Sequence, residues 1–247
     1  MSSGSEGSEG PENPASSALP DGAIPSPNIW GSPQVYEIEN RAVDRAGLIF
    51  GLIGSLAPWA GRDVLDIGCG TGFHLPVFAE TAASVTGIEP HADLVAIARR
   101  RTRRLDDVSV LQASATDLPL PDHSVDVMHA RWAYFFGPGC EPGLAELDRV
   151  MRPGGRAFVI DNDDTRSTFG SWLHLGYPDR DTAELADFWT GLGWQAHPVD
   201  MAWTFDSRED LEAVVRIEFP AAAATEILAL HEGLEVDYAV TVWSRAY

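Results

Sequence analysis

The sequence predicts an α/β fold, a doubly wound and mostly parallel sheet with helices on both faces, from three observations. From residue 63 onward short apolar runs alternate with helical patterns, the runs are near-continuous rather than alternating, and a glycine-rich turn follows the first of them. Strands buried on both faces read this way, because a half-exposed strand alternates polar and apolar residues.

Residues 1–28 are Ser, Gly, Glu, Pro and Ala with almost no large apolar side chain, which predicts a disordered tail. Between Tyr36 and Leu56 apolar residues recur at helical spacing (Val43, Ala46, Leu48, Ile49, Leu52, Ile53, Leu56) as far as Pro58, predicting one leading helix or two within 29–60. The main domain, 61–247, opens with a run at 63–67, a helix at about 73–82, a run at 84–89 and a helix from about 91 to 104. Runs at 108–112, 124–130 and 156–161 follow. Beyond Asp161 the pattern loosens to a helix around 182–192, a strand-like stretch at 194–205 and two helical patterns within 206–232. A final run at 234–244 would pair with 194–205 as a hairpin-like edge.

Composition narrows the function. With 17 Lys+Arg against 37 Asp+Glu the net charge is -20, so phosphate backbones and anionic membranes are disfavoured partners. Cys69 and Cys140 form no CxxC and have no histidine at zinc-finger spacing, so neither a disulfide framework nor a structural zinc is expected. No stretch has the length to cross a bilayer and no secretory leader is visible, so the expected location is cytoplasmic.

The chemistry-bearing segment is Val64-Leu65-Asp66-Ile67-Gly68-Cys69-Gly70-Thr71-Gly72. Glycines after a buried strand let the backbone turn tightly and approach a ligand beside a helix N-terminus. The dinucleotide fingerprint GxGxxG would need glycine at 73, where Phe73 stands, whereas GxGxG preceded by Asp66 suits S-adenosylmethionine. Glu89 at the end of the next strand, followed by Pro90, would accept hydrogen bonds from ribose hydroxyls; the plainer alternative makes Asp66 a loop cap and Glu89 a solvated strand end.

Two further stretches join these. Leu118-Pro119-Leu120-Pro121-Asp122-His123-Ser124-Val125-Asp126-Val127 resembles an LPFPDxSFDVV segment, and Leu144 to Gly155 resembles LxExxRVLKPGG. With the glycine loop and Glu89, residues 62–161 resemble the class I, Rossmann-like S-adenosylmethionine-dependent methyltransferases, in particular the small-molecule branch. The resemblance implies a seven-stranded sheet of order 3-2-1-4-5-7-6 with an antiparallel strand at the C-terminal edge, and methyl transfer to a metabolite or natural product with S-adenosylhomocysteine as product. It also implies cofactor contacts at Asp66, Gly68, Cys69, Gly70, Glu89 and Pro90, and at the residues after the fourth expected strand, Ala130 and Arg131. Tyr36 and Arg41 resemble lid residues over the methionine end. Where the family carries Asp-Ala at the adenine, this chain has Ser114 and Ala115, with Asp117 nearby as a substitute acceptor.

For an acceptor, Trp132 and Tyr134 either line the pocket or pack the next helix, while Phe135 and Phe136 are expected in the core. No catalytic residue is assigned; His129, His174 and Asp161 are the candidate bases, each with an ordinary capping role as the alternative. Asp161-Asn162-Asp163-Asp164 lacks the rest of a calcium loop and reads as an exposed acidic loop, and Arg99–Arg104 as a solvated helix end. Methylation of RNA or protein, and binding of the cofactor without transfer, are the competing functions. Oligomeric state is not encoded in any motif.

Overall fold

A computed structural model describes residues 19–247. The chain forms α1 (Pro27–Gly31), α2 (Pro33–Ala42), α3 (Leu48–Leu56), β1 (Asp63–Ile67), α4 (Leu75–Ala79), β2 (Ser84–Glu89), α5 (Ala92–Thr102), β3 (Val108–Gln112) and β4 (Val125–Arg131). It continues through α6 (Glu141–Val150), β5 (Met151–Asn162), α7 (Ser167–Gly176), α8 (Thr182–Gly191), β6 (Gln195–Thr204), α9 (Arg208–Glu218), α10 (Ala221–Leu230) and β7 (Glu235–Ala246). The seven strands make one sheet in the order β3-β2-β1-β4-β5-β7-β6. β1 to β5 pair in parallel, and β7 runs antiparallel to both β5 and β6. This is the expected doubly wound α/β sheet, with α9 and α10 between the two edge strands.

Alternate residues of each strand serve opposite faces. Val64, Val127 and Phe158 join the core under α3, α4, α5, α7 and α9, while Leu65, Met128 and Val159 join the core under α6 and α8. The second core holds three indoles: Trp189 lies 5.0 Å from Trp194 at a steep angle and 6.2 Å from Trp243 nearly parallel.

The leading helix is two. At Asp44 the backbone turns left-handed (φ 52°), and its carboxylate accepts the Leu48 and Ile49 N–H groups at 2.7 and 2.9 Å, capping α3. α2 packs on α9, and Val43 bridges to Trp203 in β6, so the N-terminal segment lies against the C-terminal insertion. Helix α7 was not expected, although Phe169, Trp172 and Leu173 have the i, i+3, i+4 spacing that buries one helical face. Of the tail expected over 1–28, residues 1–18 lie outside the described residues. From 19 the expectation is corrected: the chain runs across the sheet's C-terminal edge and enters α1, because Asp21, Ile29 and Trp30 find partners there. Among the described residues no helix is long and apolar enough to cross a membrane.

The tryptophan cluster predicts a large packing loss. Trp189→Ala should lower the unfolding free energy by about 3–5 kcal/mol in urea titration, since the cavity left between two indoles cannot collapse.

Candidate functional site

In a sheet of this winding the chain leaves β1 and β4 toward opposite sides, and a crevice opens between their C-terminal ends. The glycine turn forms its floor. Gly68, Gly70 and Gly72 all have positive φ (72°, 55° and 74°), and a Cβ on Gly68 would lie 2.2 Å from the Cβ of Ala133 in the loop after β4. Only glycine lets these two loops touch. Gly68 and Cys69 donate their N–H groups to the Ile88 carbonyl, locking the turn to β2.

The resulting cleft is open on one side and, with the space at its mouth, spans about 1000 Å³. Tyr36, Asp66, Gly68, Cys69, Gly70, Glu89, Pro90, Ser114, Ala115, Arg131, Trp132 and Tyr134 all line it. Two expected residues do not. Ala130 is buried in β4, in the core with Ile67, and is not among the residues that line the cleft. Arg41 is exposed and lies 4.0 Å from Glu37, because the face of α2 turned to the cleft carries Tyr36 and Asn40, four residues apart. Asp117 is also exposed and off the cleft.

Glu89 is 4% exposed, and its carboxylate accepts the N–H groups of His91 and Gly70 at 2.9 and 3.1 Å. Burial outweighs these bonds and pushes its pKa up to about 7. Asp66 is not a loop cap. It is buried beside His129 at 2.7 Å, with the His129 ring among Phe50, His74 and Phe78. Of the three candidate bases, His129 reaches the cleft wall, His174 only meets the Asp164 carbonyl, and Asp161 faces a second cavity.

Arg131 ends β4 with 8% exposure. Its guanidinium stacks on Trp132 (4.2 Å), yet Nε and Nη2 are buried without any acceptor. Burial pulls its pKa down. A buried guanidinium with unused donors is costly unless an anion completes it. Trp132 and Tyr134 both hold left-handed backbone (φ 49° and 50°), strain that persists where a loop is fixed on both sides. Phe135 is core as expected, but Phe136 is 47% exposed and lines the cleft.

Residues 23–26 form the outer wall opposite Ser114. The Ser114 and Thr116 hydroxyls donate to the Asp21 carbonyl at 2.8 and 3.2 Å, so the serine expected at the adenine is committed to this strap. Two charge runs also read differently in three dimensions. Asp161 and Asp164 are buried on Arg180 (3.3 and 2.8 Å), correcting the exposed acidic loop. Arg101 donates to the Thr71 carbonyl at 3.0 Å and to Glu37 at 2.6 Å, tying α2 to the glycine turn.

The second cavity, about 580 Å³, adjoins the cleft through Ser26, Tyr36, Trp132 and Phe136. No residue pattern points to two of its carboxyls, Glu39 and Glu218, which meet only because α2 packs on α9.

Sheet order, glycine turn and an acidic β2 terminus define a Rossmann-like protein built for a nucleoside cofactor. Residues 65–159 match the family described as methyltransferase domain. The demethylmenaquinone methyltransferase of Tropheryma whipplei (strain Twist) is 33% identical over 116 residues, 47% of this chain and 48% of that protein. A S-adenosylmethionine-dependent methyltransferase from Aquifex aeolicus superposes with a TM-score of 0.53 at 16% identity, covering 85% of this chain and 97% of the other. The [4+2]-cyclase SpnF gives 0.59 at 22% identity, covering 81% of each. Over residues 65–159 the chain matches the methyltransferase-domain family, and its fold is that of the class I S-adenosylmethionine-dependent methyltransferase superfamily. It spans about half the length of the curated relatives it matches.

The superfamily's cofactor is S-adenosylmethionine. The cleft fits such a molecule: a carboxyl ends β2 and an orphaned guanidinium ends β4, on either side of β1.

The raised Glu89 carboxyl fixes a pH signature. A carboxyl whose folded pKa exceeds its unfolded value of 4.5 stabilises the apoprotein fully below 4.5 and loses that contribution as pH rises through about 7. Ligand hydroxyls prefer the ionised form, so binding runs the other way. S-adenosylhomocysteine affinity, measured by calorimetry, should rise roughly tenfold between about pH 6 and pH 8. Glu89→Gln should bind about tenfold or more weakly and give a flat profile over the same range.

Proposed function

We propose that this protein transfers a methyl group from S-adenosylmethionine to a small-molecule acceptor. The observation that carries the reading is the pair of adjoining cavities, one floored by the glycine turn and one beyond it, with Tyr36, Trp132 and Phe136 between them.

When bound, the cofactor supplies an activated methyl group on a sulfonium. The protein's task is then alignment in a water-poor pocket, because an in-line displacement that disperses positive charge needs little else. Glu89 accepts from the ribose hydroxyls, and the unused Nε and Nη2 donors of Arg131 hold the α-carboxylate as a fork. Backbone at Gly68 and Gly70 approaches the cofactor directly. With Ser114 bonded to Asp21, the adenine edge falls to main-chain groups of 113–115 and of the strap. Tyr36 closes the methionine end and gives the acceptor side its first wall.

A small acceptor suits a second cavity of this size and a net charge of -20, which argues against an RNA groove. The Tropheryma relative, named for a demethylmenaquinone, supports a small molecule as a class. Binding without transfer is the second reading, favoured by one observation: a chain of this fold, SpnF, is named as a cyclase.

Incubation with methyl-deuterated S-adenosylmethionine and a small-molecule extract, followed by mass spectrometry, should yield a labelled small product. Bound cofactor with no labelled product from extracts or compound libraries favours the second reading. Arg131→Gln should weaken S-adenosylhomocysteine about tenfold or more while leaving 5′-methylthioadenosine, which lacks the carboxylate, within about twofold. Equal loss for both ligands would remove Arg131 from the carboxylate role.

A further inference from the structure

Beyond the cofactor cleft, the second cavity has a chemical character of its own. Three carboxyls face it, Glu39, Glu218 and Asp161, against the single guanidinium of Arg180, which is already shared between Asp161 and Asp164. Glu39 is 3% exposed, and its Oε2 is buried with no N–H or O–H of the protein reaching it. Glu218 receives one donor, the Asn28 amide at 2.7 Å. The two glutamates come from α2 and α9 and lie close enough to share a proton. Arg131 is the cation near enough to Glu39 to favour its ionised form, but no hydrogen bond joins the two, so the pair of buried carboxyls is left short of a bonded cation.

Resting on the methyltransferase reading above, we propose that the second cavity is the acceptor site and that it takes a small amine, bound as an ammonium between Glu39, Glu218 and the aromatic walls Tyr36 and Trp132. The walls suit a cation, since indole and phenol faces attract positive charge. Tyr36 and Trp132 also border the cofactor cleft, so a nitrogen held there lies on the side from which the methyl is approached.

The charge of the cavity selects nitrogen over oxygen. A phenol becomes a nucleophile by developing negative charge, which three carboxyls oppose. Tyr36 and Tyr238, the phenols already on this wall, are held protonated well above their usual pKa, by burial first and by Glu39 and Glu218 next. An ammonium becomes a nucleophile by losing positive charge. Burial and mutual proximity hold the Glu39 and Glu218 carboxyls above the usual carboxylate range, so the pair has the basicity to accept that proton. The ammonium gives one proton to the Glu39–Glu218 pair; the freed nitrogen lone pair forms the N–CH3 bond. The S–CH3 bond breaks with its electron pair returning to sulfur, and S-adenosylhomocysteine and an N-methylammonium result.

The test uses the full chain loaded with S-adenosylhomocysteine and a panel of alkyl, aralkyl and indolyl amines, each paired with the alcohol of the same framework, read by calorimetry. At least one amine should bind at least about tenfold more tightly than its alcohol, and Glu39→Gln or Glu218→Gln should erase that preference while S-adenosylhomocysteine affinity stays within about twofold. Without ligand, Glu218→Gln should melt no lower than the parent chain, since it relieves carboxyl–carboxyl repulsion. Alcohols binding as well as amines, no amine binding to the loaded protein, or amine preference surviving both substitutions would overturn the proposal. Failure of S-adenosylhomocysteine to bind the parent chain would instead overturn the cofactor reading on which it rests.

Discussion

The hydrogen bonding of β1 on both edges to parallel neighbours, β2 on one side and β4 on the other, is the constraint on which the site depends. Each parallel neighbour must be reached by a crossover, and the two crossovers depart to opposite sides. The chain ends of three strands are thereby gathered at one rim: the glycine turn from β1, Glu89 from β2 and Arg131 from β4. Ala133 seated against Gly68 then fixes how far apart two of these ends can be. A side chain at Gly68 would separate the loops and widen the crevice at the point where it must be narrow.

How much of this could be read from the residues divides along range. The strands from 63 to 131, the glycine turn and Glu89 were legible because they rest on local patterns: apolar runs, backbone that needs positive φ, and a carboxyl at a strand end. Asp66 was legible as the acidic residue ahead of the glycine turn, but its partner His129 was not, since adjacency across β1 and β4 is a matter of register. Arg41 was misread because a helix turns about 100° per residue, and a motif of residue types does not say which of two neighbours faces inward. Asp161 and Asp164 looked like a solvated loop for want of Arg180, which arrives from the far side of α7. Glu39 and Glu218 are separated by most of the chain, and no spacing rule links them.

The cations of this protein are all arginine; the sequence contains no lysine. In a chain with an excess of carboxyls this has a structural use. A guanidinium keeps its charge when buried and carries donors in a fixed fork, so one residue can join two or three groups. Arg101 joins α2 to the glycine turn, Arg149 holds Glu146 together with the carbonyls of Leu118 and Leu120, and Arg180 spans Asp161 and Asp164. Arg131 is the exception, with two buried donors that no protein acceptor meets.

The strap over the cleft grips Ser114 and Thr116 through the Asp21 carbonyl, a main-chain atom that every residue type possesses. Its neighbour Gly22 is different: φ is 76°, and a Cβ there would fall 2.3 Å from the Thr116 hydroxyl. Through evolutionary time the two positions should therefore drift independently, with residue 21 free to change and residue 22 held as glycine wherever Thr116 persists. A segment whose composition reads as featureless would then bear a single fixed letter, and that letter would mark where the wall begins.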